Sequence, residues 1–266
     1  MSDIKIAVFD LGGTLMEYKG MHLSWISYYK GAFDYTRQKL GLELTDSQIE
    51  KSIKILSGYN PRVKPREKEI EPEVIFSDVT SDWHTEIPVA KIIDVFFESF
   101  HLKPVIYKDS IPCLSKLKEA GFKIAALTDV ASGMPDQLQK DYVSPLLPYF
   151  DLYVSSLSCG FKKPNAKGLK DIAEYFKATP KEMIMTGDDM RDVQAAKNFG
   201  CQSVLIERKE SELHKGESRE YGQTYAIRNL EELVTILHHA TMGLQHRSSK
   251  LNRLQNEQLH NTDSHC

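Results

Sequence analysis

Short apolar runs recur along the chain, and each is followed by a segment with helical spacing of apolar residues. The strand-like runs occupy residues 4–11, 122–129, 151–157, 182–189 and 201–207. They are nearly continuous rather than alternating, which is typical of strands buried on both faces of a parallel sheet. Apolar helical faces follow at residues 109–121, 166–178 and 189–200. The alternation predicts an α/β fold built on a doubly wound parallel sheet.

Residues 16–107 interrupt this alternation. The periodicity predicts helices over 22–40, after a capping box at Thr45 and after Pro88. Between them, residues 59–73 are rich in proline and charge, which predicts a solvated loop. A helical insertion directly after the first strand lies above the carboxyl edge of the sheet, where ligands bind in open α/β sheets.

The C-terminal residues 241–266 differ from the rest because they are polar, rich in histidine and asparagine and nearly free of aromatics. Such a segment buries too little apolar surface to offset its ordering entropy, so a mobile tail is expected. A short interaction helix is the alternative, built on Leu251, Leu254 and Leu259.

Composition narrows the function classes. The net charge of −3 gives no indication of a surface that binds nucleic acid. The sequence contains no run of roughly 18 apolar residues, so no membrane span is expected. The first predicted strand begins almost at once, so no signal peptide is expected. Four widely spaced cysteines show neither metal-ligand spacing nor a disulfide framework, so reduced thiols in the cytoplasm are expected.

Polar residues with possible chemistry follow the ends of the predicted strands. They are Asp10, Gly12, Gly13, Thr128, Asp129, Lys163, Asp188, Asp189 and Asp192. Each has an ordinary explanation when taken alone, as a helix cap, a turn residue or a solvated lysine. The carboxyl ends of parallel strands share one edge, so residues distant in sequence can meet there. Their common placement favours one shared site.

Four segments together resemble the motifs of the haloacid dehalogenase (HAD) superfamily, within it the phosphatases with a helical cap after the first strand. The segments are "FDLGGTL", "LTDV", "GFKKPN" and "TGDDMRDVQAAKNFG". The resemblance extends from residue 4 to about 237 and includes a closing segment at 225–233. It implies a Rossmann-like core at 1–15 and 108–240 and a cap at 16–107.

The resemblance implies that Asp10 is a nucleophile that forms an aspartyl-phosphate. It also implies a Mg²⁺ site made by Asp10, the main-chain carbonyl of Gly12 and Asp188. Asp192 would support this site by orienting a water or pairing with the motif lysine, and Asp189 is a weaker substitute for it.

The phosphate would be held by the Thr128 hydroxyl and by Lys163, the lysine that directly precedes proline in the third motif. Backbone N–H groups of Leu11, Gly12 and Asp129 could add donors to the developing charge. Glycines at positions 12 and 13 suit a turn that must approach the phosphate closely.

Gly12 departs from the family pattern, in which a second aspartate protonates the leaving group and then activates water. Such general acid–base help is typically worth about 10²–10⁴-fold. The substrate could have a good leaving group, such as an acyl phosphate or an anomeric sugar phosphate. Glu17, Tyr18 or a cap residue could substitute for the aspartate. Alternatively, the chain could be a weakly catalytic module that binds a phospholigand or a protein.

A metal-independent 2-haloacid dehalogenase is a further alternative, because such enzymes also lack the second aspartate. The fourth motif nevertheless keeps its acidic pair, and an acidic cluster without a cation would repel itself. The sequence therefore predicts a Mg²⁺-dependent phosphohydrolase or phosphotransferase acting on a small phosphorylated metabolite.

Two further groups of side chains have both an ordinary and a functional interpretation. Basic residues of the predicted loop could contact a phosphosubstrate, although a solvated charge run alternating with Glu67 and Glu69 is expected. They are Arg62, Lys64, Arg66 and Lys68. Three aromatic residues could line a pocket, although core packing is expected: Trp25, Tyr28 and Tyr29.

Overall fold

The computed structural model describes residues 4–22, 24–208 and 220–238. The expectations for the tail at 241–266, including an interaction helix, lie outside the described residues. None of the helices in these three ranges combines the length and apolar character needed to cross a membrane.

Strands and helices alternate through most of the described chain. The strands are β1 (Ile6–Phe9), β2 (Met16–Tyr18), β3 (Pro104–Ile106), β4 (Lys123–Thr128), β5 (Leu152–Ser155), β6 (Met183–Gly187), β7 (Gln202–Ile206) and β8 (Tyr225–Ile227). The helices are α1 (Ile26–Lys39), α2 (Asp46–Gly58), α3 (Pro72–Val79), α4 (Val89–Glu98), α5 (Ser110–Glu119), α6 (Asp136–Tyr142), α7 (Ser156–Cys159), α8 (Lys167–Phe176), α9 (Met190–Phe199) and α10 (230–238). Short 3₁₀ turns occupy Leu147–Tyr149 and Pro180–Glu182.

Six strands form a parallel sheet in the order β5-β4-β1-β6-β7-β8. Alternate residues of β1 point to opposite faces of this sheet, as the pleat requires. Ala7 and Phe9 pack with the apolar residues of α5 and α10, whereas Ile6 and Val8 pack with those of α8 and α9. Both faces are therefore covered, which explains the continuous apolar runs and confirms the predicted doubly wound α/β class.

The strands β2 and β3 pair as a separate antiparallel ribbon, and helices α1–α4 lie between them in the chain. These helices pack around a second apolar cluster, in which the rings of Phe33 and Phe96 lie 4.7 Å apart. Val130 and Met134, after β4, belong to the same cluster. We call residues 19–103 the helical segment. The ribbon joins it to the sheet close to the end of β1.

The helical segment agrees with the sequence pattern at some points and differs at others. The capping box at Thr45 is confirmed, and Pro88 directly precedes α4. The helix predicted over 22–40 begins only at Ile26. The pattern missed α3 and the ribbon strands, because three-residue strands and an eight-residue helix span too few positions to show a period.

Candidate active site

Strand order brings the candidate residues together. Asp10 directly follows β1, Thr128 ends β4 and Asp188 directly follows β6. Because β1 lies between β4 and β6 in parallel register, all three residues stand at the same carboxyl edge. Asp10 is fastened there by its N–H, which donates to the carbonyl of Thr186 at 2.9 Å.

Lys163 reaches this edge from the loop after α7. Its Nζ lies 2.6 Å from Oδ1 of Asp10 and 2.5 Å from Oδ1 of Asp192. Its backbone N–H donates to Oδ1 of Asp129 at 3.0 Å, which ties the loop to the end of β4. Burial by itself would lower the pKa of Lys163, but attraction by these carboxylates outweighs it and raises the pKa. Lys163 is therefore a charged ammonium that lies between two carboxylates.

Three buried carboxylates form the acidic part of the site. Oxygens of Asp10, Asp188 and Asp192 all lie within 4.8 Å of one another. Burial raises the pKa of Asp10 well above its ordinary value; Lys163 opposes the rise, and the neighbouring carboxylates add to it. One ammonium against three carboxylates leaves an excess of negative charge, and hard oxygen donors suit a divalent cation such as Mg²⁺. The residues therefore fit the metal that the fold family implies.

Two glycines of this edge are required by the carboxylates beside them. Gly13 has a φ of +79°, and a Cβ there would collide with the carboxylate of Asp188. A Cβ at Gly187 would likewise collide with the carboxylate of Asp192. Gly12 is different, because it is exposed and a Cβ built there has open space within 4 Å.

Asp189 faces a pair of arginines. It caps the N-terminus of α9, and its carboxylate lies 2.9 Å from Nη2 of Arg62 and 3.1 Å from Nε of Arg191. Burial opposes it, but the two guanidinium groups hold the pKa of Asp189 well below its usual range. Arg191 also binds Asp129 at 3.2 Å. Asp189 thus pairs with these two arginines, whereas Asp192 pairs with Lys163, and the substitution of Asp189 for Asp192 stays a prediction.

Asp192 keeps both carboxylate oxygens occupied. Oδ1 pairs with Lys163, and Oδ2 accepts the N–H of Asp189 at 3.0 Å. Asp192 is thus placed to hold the lysine, one of the two supporting arrangements that the sequence left open.

A cavity of about 230 Å³ opens over these residues. It is lined by Asp10, Gly12, Thr128, Lys163 and Asp188 on the sheet side. The ribbon and the helical segment contribute Glu17, Tyr18, Trp25, Tyr29 and Arg62. Sites for drug-sized ligands are typically about 300–1,000 Å³. The cavity is therefore suited to a small molecule.

The two candidate substitutes for an acid at position 12 both line the cavity but bind other side chains. Glu17 accepts a hydrogen bond from the hydroxyl of Tyr107 at 2.8 Å. Tyr18 donates to Gln139 at 3.3 Å, and burial raises the pKa of its phenol.

The predicted solvated loop before α3 is wrong in part. Lys64 and Lys68 are exposed, as expected. The carboxylate of Glu69, however, is only 4% exposed and lies 2.6 Å from Nζ of Lys162, itself 2% exposed. Arg66 adds a second cation, at 3.1 Å from Glu69. An alternating charge run has the same sequence whether it faces water or another loop, so the pattern held no signal for this contact.

Comparison with known proteins gives this arrangement a family. Residues 4–200 match the haloacid dehalogenase-like hydrolases. The chain belongs to this family. The superfamily resemblance inferred from the four motifs is confirmed, and the chain is a phosphatase-like enzyme of that superfamily.

Two similar proteins are phosphatases by name, and one solved structure has a similar fold. The phosphoglycolate phosphatase of Vibrio vulnificus is 29% identical over 208 residues, which cover 76% of this chain and 82% of the relative. The glyceraldehyde 3-phosphate phosphatase of Methanopyrus kandleri is 30% identical over 139 residues, covering 51% of this chain and 58% of that protein. The HAD phosphatase structure from Thermococcus onnurineus has a TM-score of 0.59 at 23% identity, covering 88% of this chain and 98% of that one.

Proposed function

We propose that this protein is a Mg²⁺-dependent, cytoplasmic phosphohydrolase of small phosphorylated metabolites that uses Asp10 as its nucleophile. The observation that carries the proposal is the buried contact of Asp10 with Lys163 beside Asp188 and Asp192. Residues 1–15 and 108–240 would be the core, and residues 16–107 the cap that closes over the substrate.

Asp10 would react in two steps. A carboxylate oxygen attacks the phosphorus, and the bond to the leaving oxygen breaks with its electron pair. Water then attacks the phosphorus of the acyl phosphate, which releases inorganic phosphate and restores the carboxylate. In a phosphotransferase, an acceptor hydroxyl would replace this water. Phosphoryl transfer depends mainly on alignment and charge neutralisation, so the remaining residues would position the phosphoryl group and neutralise its charge.

Lys163 and Thr128 would hold the phosphoryl oxygens. The ammonium of Lys163 already contacts Asp10, so it can bridge the nucleophile and an equatorial oxygen. Thr128 is 3% exposed at the cavity and would donate its hydroxyl, while backbone N–H groups of Leu11, Gly12 and Asp129 would add donors. The N–H of Gly13 instead donates to the carbonyl of Met16 at 2.7 Å. Asp192 keeps Lys163 in place.

Mg²⁺ would be held by Asp10, Asp188 and the carbonyl of Gly12, and when bound it neutralises the charge of the nucleophile and phosphate. The glycine at position 12 leaves this carbonyl available. Gly12 lacks the carboxylate that would protonate the leaving group. Glu17 and Tyr18 are the nearby candidates to replace this acid. Substrates with good leaving groups, such as acyl phosphates, need this acid least.

Phosphoglycolate is the first substrate to test. A relative similar over three quarters of the chain is named for it, and the small cavity suits a compact molecule. Gly12 also favours one competing function, a weakly catalytic module that binds a phospholigand or protein in the same cavity.

Turnover on a panel of phosphate esters and acyl phosphates, with and without Mg²⁺, tests the proposal. Asp10→Asn removes the nucleophile and should lower kcat by at least about 10³-fold. Asp94→Asn, on the exposed side of α4, is the matched control and should retain parent turnover. Turnover that survives Asp10→Asn would exclude Asp10 as the nucleophile. Phosphate binding without turnover would favour the binding module, and metal-free halide release from a 2-haloacid would favour a dehalogenase.

A further inference from the structure

A polar attachment joins the helical segment to the core, apart from the β2–β3 ribbon and the apolar contacts of Val130 and Met134. Two backbone hydrogen bonds connect the chain before α3 to the loop that carries Lys163. The N–H of Lys162 donates to the carbonyl of Glu67 at 2.6 Å, and the N–H of Glu69 donates to the carbonyl of Gly160 at 2.9 Å. The residue directly before Lys163 is therefore held by the helical segment.

The carboxylate of Glu69 is the centre of this attachment. Oε2 lies 2.6 Å from Nζ of Lys162 and accepts the hydroxyl of Ser156 at 2.5 Å. Oε1 binds Nη1 of Arg66 at 3.1 Å. One buried anion thus lies between two cations that come from opposite sides of the attachment.

Lys162 also connects the attachment to the loop at 129–132, which follows Thr128 at the end of β4. Its Nζ donates to the carbonyl of Val130 at 2.5 Å, while the N–H of Val130 donates to the hydroxyl of Ser156 at 3.0 Å. Both backbone groups of Val130 are held in this way, two residues after Thr128. Side chains that contact Glu69 therefore fasten the end of β4 as well as the lysine loop.

Arg66 fastens the same loop from the other side. Its Nη2 donates to the hydroxyl of Ser132 at 3.3 Å and to the carbonyl of Tyr59 at 3.2 Å. The hydroxyl of Ser132 also donates to Tyr59, at 2.8 Å. The loop at 129–132 is consequently bound to the helical segment through both Lys162 and Arg66.

Removing one partner of a buried ion pair leaves an uncompensated charge, so the neighbouring groups must move or admit water. Without Glu69, the ammonium of Lys162 would lose its anion, and the positions of Val130 and Lys163 would lose one of the contacts that support them. A misplacement of about 1 Å at a reacting group can cost about 10²-fold in rate.

We infer that Glu69 is a positioning residue for the loops at 128–132 and 160–163, which would hold the phosphate. It acts through Lys162 to place Thr128 and Lys163 beside Asp10. The inference rests on the proposed function, because it assigns the helical segment a part in that same reaction. It also means that the segment cannot swing about the ribbon without separating Glu69 from Lys162.

Steady-state kinetics of four variants test the inference on the full chain. Glu69→Gln should lower kcat/KM by about 10- to 100-fold, mainly through kcat, because Lys163 is needed most while charge moves. Glu73→Gln is the matched control, because Glu73 is exposed in the first turn of α3 and this variant should leave both kcat and KM within about twofold of the parent.

Lys162→Met and the double variant Glu69→Gln/Lys162→Met test the route through Lys162. The double variant should be no slower than Glu69→Gln, because coupled residues are non-additive and an apolar replacement removes the unpaired charge. Additive losses would contradict positioning through Lys162. The double variant also remains testable if Glu69→Gln fails to fold.

Amide hydrogen exchange gives a readout that does not need activity. Glu69→Gln should speed exchange at residues 128–132 and 160–163, while Glu73→Gln should not. Parent kcat and parent exchange in Glu69→Gln would overturn the inference while the proposed function stands. If the parent lacks Asp10-dependent turnover, the proposed function fails. The amide exchange rates of Glu69→Gln and of the double variant then test by themselves whether Glu69 positions the two loops.

Discussion

Gly12 and Gly13 are neighbours in one turn, yet only Gly13 is required by the groups around it. At Gly13 the positive φ and the carboxylate of Asp188 both exclude a side chain. At Gly12 a side chain has open space, so no steric reason accounts for the missing carboxylate. A single substitution at this position can therefore restore the family pattern.

Gly12→Asp should restore acid–base help and raise kcat more for esters with alcohol leaving groups than for acyl phosphates. General acid–base catalysis is typically worth about 10²–10⁴-fold, so a gain of about tenfold or more is expected for the esters. The ratio of the two kcat values measures it. Gly12→Asn has a similar shape without the acid and should give no selective gain. Equal gains on both substrate types would contradict this account of Gly12.

At the scale of elements, the chain between α2 and α3 contributes more than a connection. It supplies Arg62 to the cavity wall and Glu69 to the buried attachment. Nη2 of Arg62 binds Asp189, and a guanidinium has five N–H donors, so this side chain can also bind an anionic group of the substrate. The sequence predicted a possible contact here but favoured solvation.

Arg62→Met should therefore raise KM for phosphoglycolate by about tenfold or more, in line with about 1.5–3 kcal/mol for a hydrogen bond to a charged group. KM for a phosphate ester with an uncharged tail should change much less, and the ratio of the two values is the measurement. Lys54→Met on the exposed face of α2 is the control. An equal rise in both KM values would exclude a contact with the substrate carboxylate.

At the scale of the whole molecule, the proposed metal site at the acidic cluster should link metal binding to folding. A cation that binds only the folded chain stabilises it by about 2.7 kcal/mol at a concentration of about 100 times Kd. Mg²⁺ should therefore raise Tm by several degrees, and EDTA should reverse the rise. Thermal denaturation with and without the ion measures this shift.

Asp188→Asn should abolish most of the Mg²⁺-dependent rise in Tm. Without the ion it should melt at or above the parent, because one of three mutually repelling buried carboxylates is neutralised. Asp94→Asn should keep the full Mg²⁺ effect. A Tm rise of parental size in Asp188→Asn would remove Asp188 from the metal site.

The sequence by itself determined the alternation of strands and helices and the set of residues that follow strand ends. These features are readable because burial on two faces and helical periodicity are local properties of neighbouring residues. The neighbours of each charge are not local. Lys162 and Lys163 are adjacent, yet one faces Glu69 and the other Asp10, and Asp189 faces two arginines. Only the tertiary structure decided these partners, because each depends on which distant loop burial brings to the same edge of the sheet.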